Sequence, residues 1–130
     1  MTGKHDVRVD PVRDLVRIRL DGFFSAAELR AFVADFRAAY GALPCGPNEH
    51  VTLLDIRGLA IQSRDTVEQF ATLLADARFH ARRLACVTAS TLARSQLNRS
   101  LAGRRDTRIF AETAEAEAWL LAAAPGARAA

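Results

Sequence analysis

The sequence predicts an α/β fold, a five-stranded mixed sheet packed with four helices in the order ββαβαβαβα. Three observations carry this. Two runs near the start, on either side of "DPVRD", alternate apolar with charged residues, and a period of two marks strands with one wet face. Three further apolar runs of strand length, "HVTLLDIRG", "RRLACVTAS" and "DTRIFAE", alternate with segments of helical period; that alternation implies parallel strands joined by right-handed crossovers. A chain of 130 residues suits one domain with one core.

The opening "DVRVDPVRDLVRIRLDG" sets Val7 and Val9, then Val16, Ile18 and Leu20, between charged residues such as Arg17 and Arg19. Pro11 and its aspartate neighbours supply a turn. The pair reads as a hairpin toward one edge of the sheet, with its first strand antiparallel to the second. "SAAELRAFVADFRAAYG" is the clearest helix. Ser25 and Glu28 have capping-box spacing, Leu29, Phe32, Val33, Phe36 and Tyr40 form one stripe, and Gly41 is placed to end it in a left-handed conformation. "HVTLLDIRG" is apolar on both faces, as an interior strand would be.

"SRDTVEQFATLLADARF" reads as a second helix burying Val67, Phe70, Leu74 and Ala77. "RRLACVTAS" is another buried strand. "TLARSQLNRSLAG" is a third helix with Ala93, Leu97 and Leu101 inward and Gly103 at its end. "DTRIFAE" is the last strand, and "TAEAEAWLLAA" a last helix that packs through Ala116, Trp119, Leu120 and Ala123. Residues 1–122 form one expected domain. The tail 123–130, small and breaker-containing, is expected to fray.

Half of the residues are hydrophobic and a quarter charged, an ordinary globular balance. No apolar run approaches the ~20 residues that span a bilayer. The polar start "MTGKHDVRVD" does not read as a secretory signal, so a cytoplasmic location is the expectation. Cys86 lies in the apolar run "LACVTA" and reads as a small buried hydrophobe, while Cys45 lies in the loop "LPCGPN". No CxxC pair or His/Cys spacing suits zinc, and no metal or cofactor is expected.

The order and local wording of the chain resemble the STAS-like superfamily (sulfate transporter and anti-sigma-factor antagonist). More closely, they resemble the small bacterial proteins called stage II sporulation protein AA-like, or SpoIIAA-like. The segments that carry the resemblance are "VRIRLDGFFSAAEL", "VTLLDIRG", "FHARRLACVTAS" and "RIFAETAEAEAWL". The resemblance implies a STAS-like fold, related in shape to the Sec14-type lipid-binding domain, and relatives that are non-enzymatic or uncharacterised. In the anti-sigma-factor antagonists, a strand ending in Leu-Asp-Leu leads to an Asp-Ser-Ser-Gly stretch whose serine is phosphorylated. Leu54, Asp55 and Ile56 match that strand. The following loop reads "QSRDTV", which sets Ser63 at the family's aspartate and Arg64 and Asp65 at its serines. The resemblance therefore implies no intact phosphoserine switch, and Ser63 or Asp65 reads as a helix cap, "DTVE" being itself a capping box.

Other chemistry is sparse. Asp55, near the carboxyl end of an interior strand, stands where open α/β sheets place ligands; it could bind one, with Arg57 a further ligand candidate, or accept hydrogen bonds from the following loop. His5, His50 and His80 are isolated and read as surface or cap residues. Thr88, Ser90 and Thr91 sit at a strand-to-helix junction that could hold an anion or simply cap the helix. No GxGxxG, Walker loop, GxSxG or HExxH motif is present.

The formal charge is +3, and from Ala77 to Arg105 seven arginines meet no acidic residue. These are Arg78, Arg82, Arg83, Arg94, Arg99, Arg104 and Arg105, with Arg108 just beyond. Helix periodicity scatters them, with Arg94 beside the apolar stripe and Arg99 opposite it. Aromatic side chains that would stack on bases are missing from the set, so nucleic acid is an unexpected partner; solvated charge is the expected role, and a phosphate, anionic-lipid or acidic-partner site the alternative.

The sequence thus points first to a non-enzymatic regulatory or protein-interaction domain. It would work through residues 59–70, where Leu59, Ile61 and Val67 supply apolar contacts and Arg64 and Asp65 set polarity. The alternative is a small-molecule or lipid-binding carrier domain, which requires an apolar cavity between sheet and helices. The expected partner is an unnamed regulatory protein or small ligand, and the edge hairpin leaves room for a homodimer.

Overall fold

The computed structural model describes residues 2–46, 49–100 and 106–122. The chain begins with a hairpin of β1 (Lys4–Asp10) and β2 (Leu15–Gly22), followed by α1 (Ala26–Gly41) and β3 (Val51–Leu59). Then come α2 (Arg64–Ala75), a single 3₁₀ turn at Ala77–Phe79 and β4 (Arg83–Val87). The described part closes with α3 (Thr91–Ser100), β5 (Thr107–Phe110) and α4 (Thr113–Ala122). The strands lie side by side in sequence order. β1 runs antiparallel to β2, and every later pairing is parallel.

The layers follow from that order. The crossovers from β2 to β3, β3 to β4 and β4 to β5 all step the same way across the sheet. With one hand of crossover, their helices share one face, and α4, coming after the last strand, is free to take the other. Two cores result. On the first face, Val7, Ile18, Leu54, Cys86 and Ile109 form one register row across all five strands, covered by Leu29, Phe32 and Phe36 of α1 and Leu73 of α2. On the second, Leu15, Val51, Leu53, Ala85 and Val87 meet Ala116 and Leu120 of α4.

The neighbouring register row on that second face reads Arg8, Arg17, Leu53, Ala85 and Arg108. It is apolar at β3 and β4, beneath α4, and charged on either side, where Arg17 pairs with Glu117 of α4 and Arg108 lies against the Trp119 ring. β3 is buried continuously from Val51 to Ile56, as a strand between two cores must be.

The turns are specific. Asp10 accepts the backbone N–H groups of Val12 and Arg13 through Oδ1, closing the hairpin turn, and Asp14 takes a left-handed φ of 51°. Gly22 has φ 76°, and a Cβ there would collide with the Thr2 carbonyl; only glycine serves both demands. The capping box of α1 is present, with Glu28 N–H on Ser25 Oγ and Ser25 N–H on Glu28 Oε1.

Four expectations need correction. The second helix does not run to Phe79. It stops at Ala75, because Asp76 leaves the helical conformation and caps the 3₁₀ turn through Arg78 N–H, so the element order gains a turn before β4. Gly41 is the last residue of α1 rather than a left-handed stop, and Ala42 caps the helix in right-handed conformation. Among the described residues, three helices, α1, α2 and α4, carry buried side chains, not the expected four; every α3 side chain that is described is exposed. In α2 the buried residues are Thr66 and Leu73, with Val67, Phe70 and Leu74 half-buried. Gly103, Arg104, Arg105, Leu101, Ala123 and the tail lie outside the described residues, as do the side chains of Ala77, Ala93, Leu97 and Arg99.

Candidate functional site

The half-buried side chains of α2 line an apolar cleft. Whereas α4 lies close against β3, β4 and β5, the close backbone neighbours of α2 are α3 and the 3₁₀ turn, so α2 stands off the sheet. Bulky rings hold it there. Phe70 of α2 meets Phe32 of α1 edge to face at 5.7 Å between centroids and Phe24 at 5.9 Å, and Phe36 stacks behind Phe32 at 5.7 Å. Such edge-to-face contacts favour the separation that two rings need and resist collapse of helix onto sheet.

Beneath α2 remains a space of about 100 Å³, floored by Ile18, Leu20, Leu54 and Ile56, walled by Phe32, Phe36, Phe70, Ala71 and Leu74, and opening at Leu59–Gln62, Val67 and Ser90. Among the described residues that line it, none is charged. The space is open to solvent on one side, so a guest that filled it would gain by removing apolar surface from water.

One polar side chain organises the rim. Gln62, 8% exposed, accepts the Phe24 N–H at 2.9 Å and donates to the carbonyls of Gly22 at 2.9 Å and Ala60 at 2.6 Å. All of its bonds point back into the protein, so it ties the end of β2 to the loop after β3. Beside it Ile61 is 56% exposed, an apolar side chain standing in water at the opening.

The structure brings Leu59, Ile61, Val67 and Ser90 together at this rim. Ser63 is the α2 N-cap: its Oγ accepts Thr66 N–H at 3.2 Å and donates to Thr66 Oγ1 at 2.9 Å. The cap is therefore Ser63 and not Asp65, which stands exposed in the first turn with Arg64. Arg64 makes only a loose surface pair with Glu68, at 3.7 Å, of a kind worth little.

Asp55 and Arg57 do not join the cleft. Alternation along β3 sends them to the α4 face, where Arg57 donates Nε and Nη2 to the two Asp55 oxygens at 3.0 and 2.9 Å and its backbone N–H to Oδ1. Burial alone would raise the Asp55 pKa, but the Arg57 bonds outweigh it and hold the carboxyl below its ordinary value. This carboxylate is spent on its own strand. At the β4–α3 junction the buried Thr88 hydroxyl accepts Ser90 N–H at 3.2 Å, a turn contact, and Arg94 is exposed on α3.

The arginine-rich stretch also shows structural uses. Arg83 donates to the Trp119 carbonyl and lies 4.6 Å from its ring centroid, while Arg108 lies 5.4 Å from the same centroid. Arg78 pairs with Asp76 at 2.7 Å, holding that carboxyl down to about 2. His50 is buried against Tyr40 rather than at the surface, and His5 is bonded to Asp35 of α1 at 2.6 Å. Among the described residues, no group of histidine, cysteine and carboxylate side chains could hold a metal ion, and no helix is long and apolar enough to cross a membrane.

Sequence reasoning passed over Gln62, Leu54, Ile56, Phe32, Phe36 and Ala71 as site residues. The apolar ones carry the same signal as core, and only the stand-off of α2 distinguishes them. The signal for Gln62 was faint, a lone amide between apolar Ile61 and the cap Ser63.

No protein-family model matches the chain, and neither does any curated protein. Among solved structures, the chain is similar to an uncharacterized protein of the DUF3478 family with a SpoIIAA-like fold from Shewanella loihica PV-4. The TM-score is 0.71 at 16% identity, over 91% of this chain and 94% of that one. The likeness establishes a SpoIIAA-like fold, as the sequence resemblance implied, and at that identity it speaks for the fold alone.

Proposed function

We propose that this SpoIIAA-like domain is a non-enzymatic binding domain that carries a small neutral or single-chain apolar ligand in the cleft between α2 and the sheet. The supporting observation is an uncharged, open-sided space held apart by aromatic rings, next to the exposed Ile61. A guest that inserts there exchanges water for apolar contacts, at roughly 25 cal/mol per Å² of apolar surface removed from water. The resemblance to the SpoIIAA-like proteins implies a shape related to the Sec14-type lipid-binding domain, which agrees with such a guest. A phosphoserine switch has no support from the rim, where the Ser63 hydroxyl is engaged as a cap.

A second reading, regulation through a protein partner that presents an apolar side chain to the same rim, is favoured by the exposure of Ile61 beside Arg64 and Asp65. Native mass spectrometry of the freshly purified protein, with displacement of a fluorescent fatty-acid analogue, separates the two. Co-purified apolar mass and displaceable fluorescence support the carrier reading. An empty protein that leaves the probe unbound at tens of micromolar overturns it. Loss of partner capture on Ile61→Asp with unchanged probe binding would favour the second.

A further inference from the structure

The sheet has two edges, and they are unequal. β5 is four residues long and β1 is seven, and among the described residues no strand pairs with the outer side of β1. A long exposed edge is a template for another strand. The strand reads Lys4-His5-Asp6-Val7-Arg8-Val9-Asp10, and its charges are antisymmetric about Val7. Lys4 mirrors Asp10, Asp6 mirrors Arg8, and His5 mirrors Val9.

We infer that β1 pairs antiparallel with β1 of a second copy about a two-fold axis at Val7, joining two five-stranded sheets into one continuous sheet. Residues opposite one another in an antiparallel pair share a face. Lys4, Asp6, Arg8 and Asp10 therefore meet their mirror residues on the charged face, and Val7 meets Val7 on the face covered by α1. Each Asp6 lies against Arg8 of the other copy, and each Lys4 against its Asp10. Within one chain, Arg8 stands opposite Arg17 of β2 and donates Nε to Asp6 of its own strand at 2.9 Å; on pairing, that contact is exchanged for the equivalent one between copies.

The same charges exclude the neighbouring registers. A two-residue slip in one direction sets Asp6 against Asp6 and Lys4 against Arg8; the other sets Arg8 against Arg8 and Asp6 against Asp10. A one-residue slip opposes outward-pointing backbone groups to inward-pointing ones and sends side chains to the wrong face. An edge guarded by one sign of charge would repel every copy, whereas this edge opposes all of these registers but one. The resulting interface is isologous and closes on itself. It shares no residue with the cleft, so its test is independent of the carrier reading.

Sedimentation velocity of the full chain over a concentration series, with circular dichroism to verify folding, tests it. The unmodified protein should dimerise in the micromolar range. Asp6→Arg or Arg8→Asp alone turns two symmetric attractive contacts repulsive and should weaken the dimer at least about fourfold, taking cross-strand charge pairs at ~0.2–1 kcal/mol each. The double variant Asp6→Arg/Arg8→Asp makes the contacts opposite in sign again and should restore dimerisation. Lys4→Asp, which opposes Asp10 to a like charge, should weaken it independently. A chain that sediments as a monomer up to roughly 200 µM, a dimer indifferent to the single variants, or a folded double variant that stays monomeric would overturn the pairing.

Discussion

Gln62→Ala is the most informative single change at the rim. Its side chain makes three hydrogen bonds, to Phe24 N–H, Gly22 O and Ala60 O, and the first two are buried. A net contribution near 1 kcal/mol per bond gives about 3 kcal/mol. Alanine also leaves the Phe24 N–H without its acceptor in a buried setting, and an orphaned donor of that kind costs ~1–3 kcal/mol by itself. The two routes describe the same loss, so the expected destabilisation is about 2–4 kcal/mol. For a chain of 130 residues, that corresponds to a fall in Tm of roughly 10 °C. Urea unfolding followed by circular dichroism measures it, with an unchanged m-value showing that the compactness of the two states is the same. A loss below about 0.5 kcal/mol would refute the view that this amide ties the β2 end to the rim.

Further outcomes follow from the same geometry. Ala71→Phe places a ring in the cleft; it should reduce apolar-ligand binding at least about tenfold while stability holds or rises by about 1 kcal/mol through cavity filling, both read from probe titration and urea unfolding. Ser63→Ala should cost about 1 kcal/mol through loss of the α2 cap, with ligand binding retained. Leu120→Ala, in the core under α4, should cost about 2–5 kcal/mol and leave the cleft working, which separates the two faces functionally. Asp76 has a folded pKa lowered to about 2 from 3.8, chiefly by the Arg78 side chain. Because the shift is downward, the stabilisation from this pair is present above pH 4 and is lost as pH falls from about 4 toward 2. Carboxyl-detected NMR titration should find the midpoint near 2, returning toward the ordinary value in Arg78→Ala.

How far the sequence could be read depended on what kind of force placed each residue. The strands and α1 were legible because their signals are local: alternation in "VRIRL", a stripe from Leu29 to Tyr40, and a capping box at Ser25. The end of α2 was not, since a single Asp76 side chain bonding Arg78 N–H breaks the helix inside a stretch that remains apolar in period. The division of β3 between a wet and a dry partner was half visible. Its apolar run announced burial on both faces, yet the placement of Asp55 beside Arg57 and away from Ile61 follows only once the pleat is set. The rim residues Leu59, Ile61 and Val67 were recognised as apolar and accessible, but the space behind them depends on Phe24, Phe32 and Phe70, which are distant in sequence and look like ordinary core. The mirror order of charges in β1 was likewise in plain view, and it gains meaning only when that strand is found at an edge.

Methyl NMR with a short-chain fatty acid as the probe tests the cleft most directly. Titration should shift the methyl signals of Ile18, Leu54, Ile56 and Val67, which line the space under α2, and leave those of Leu15, Leu53 and Leu120 on the opposite face in place. Signals that stay fixed at every residue up to millimolar probe, or that move only on the α4 face, would contradict a binding cleft between α2 and the sheet.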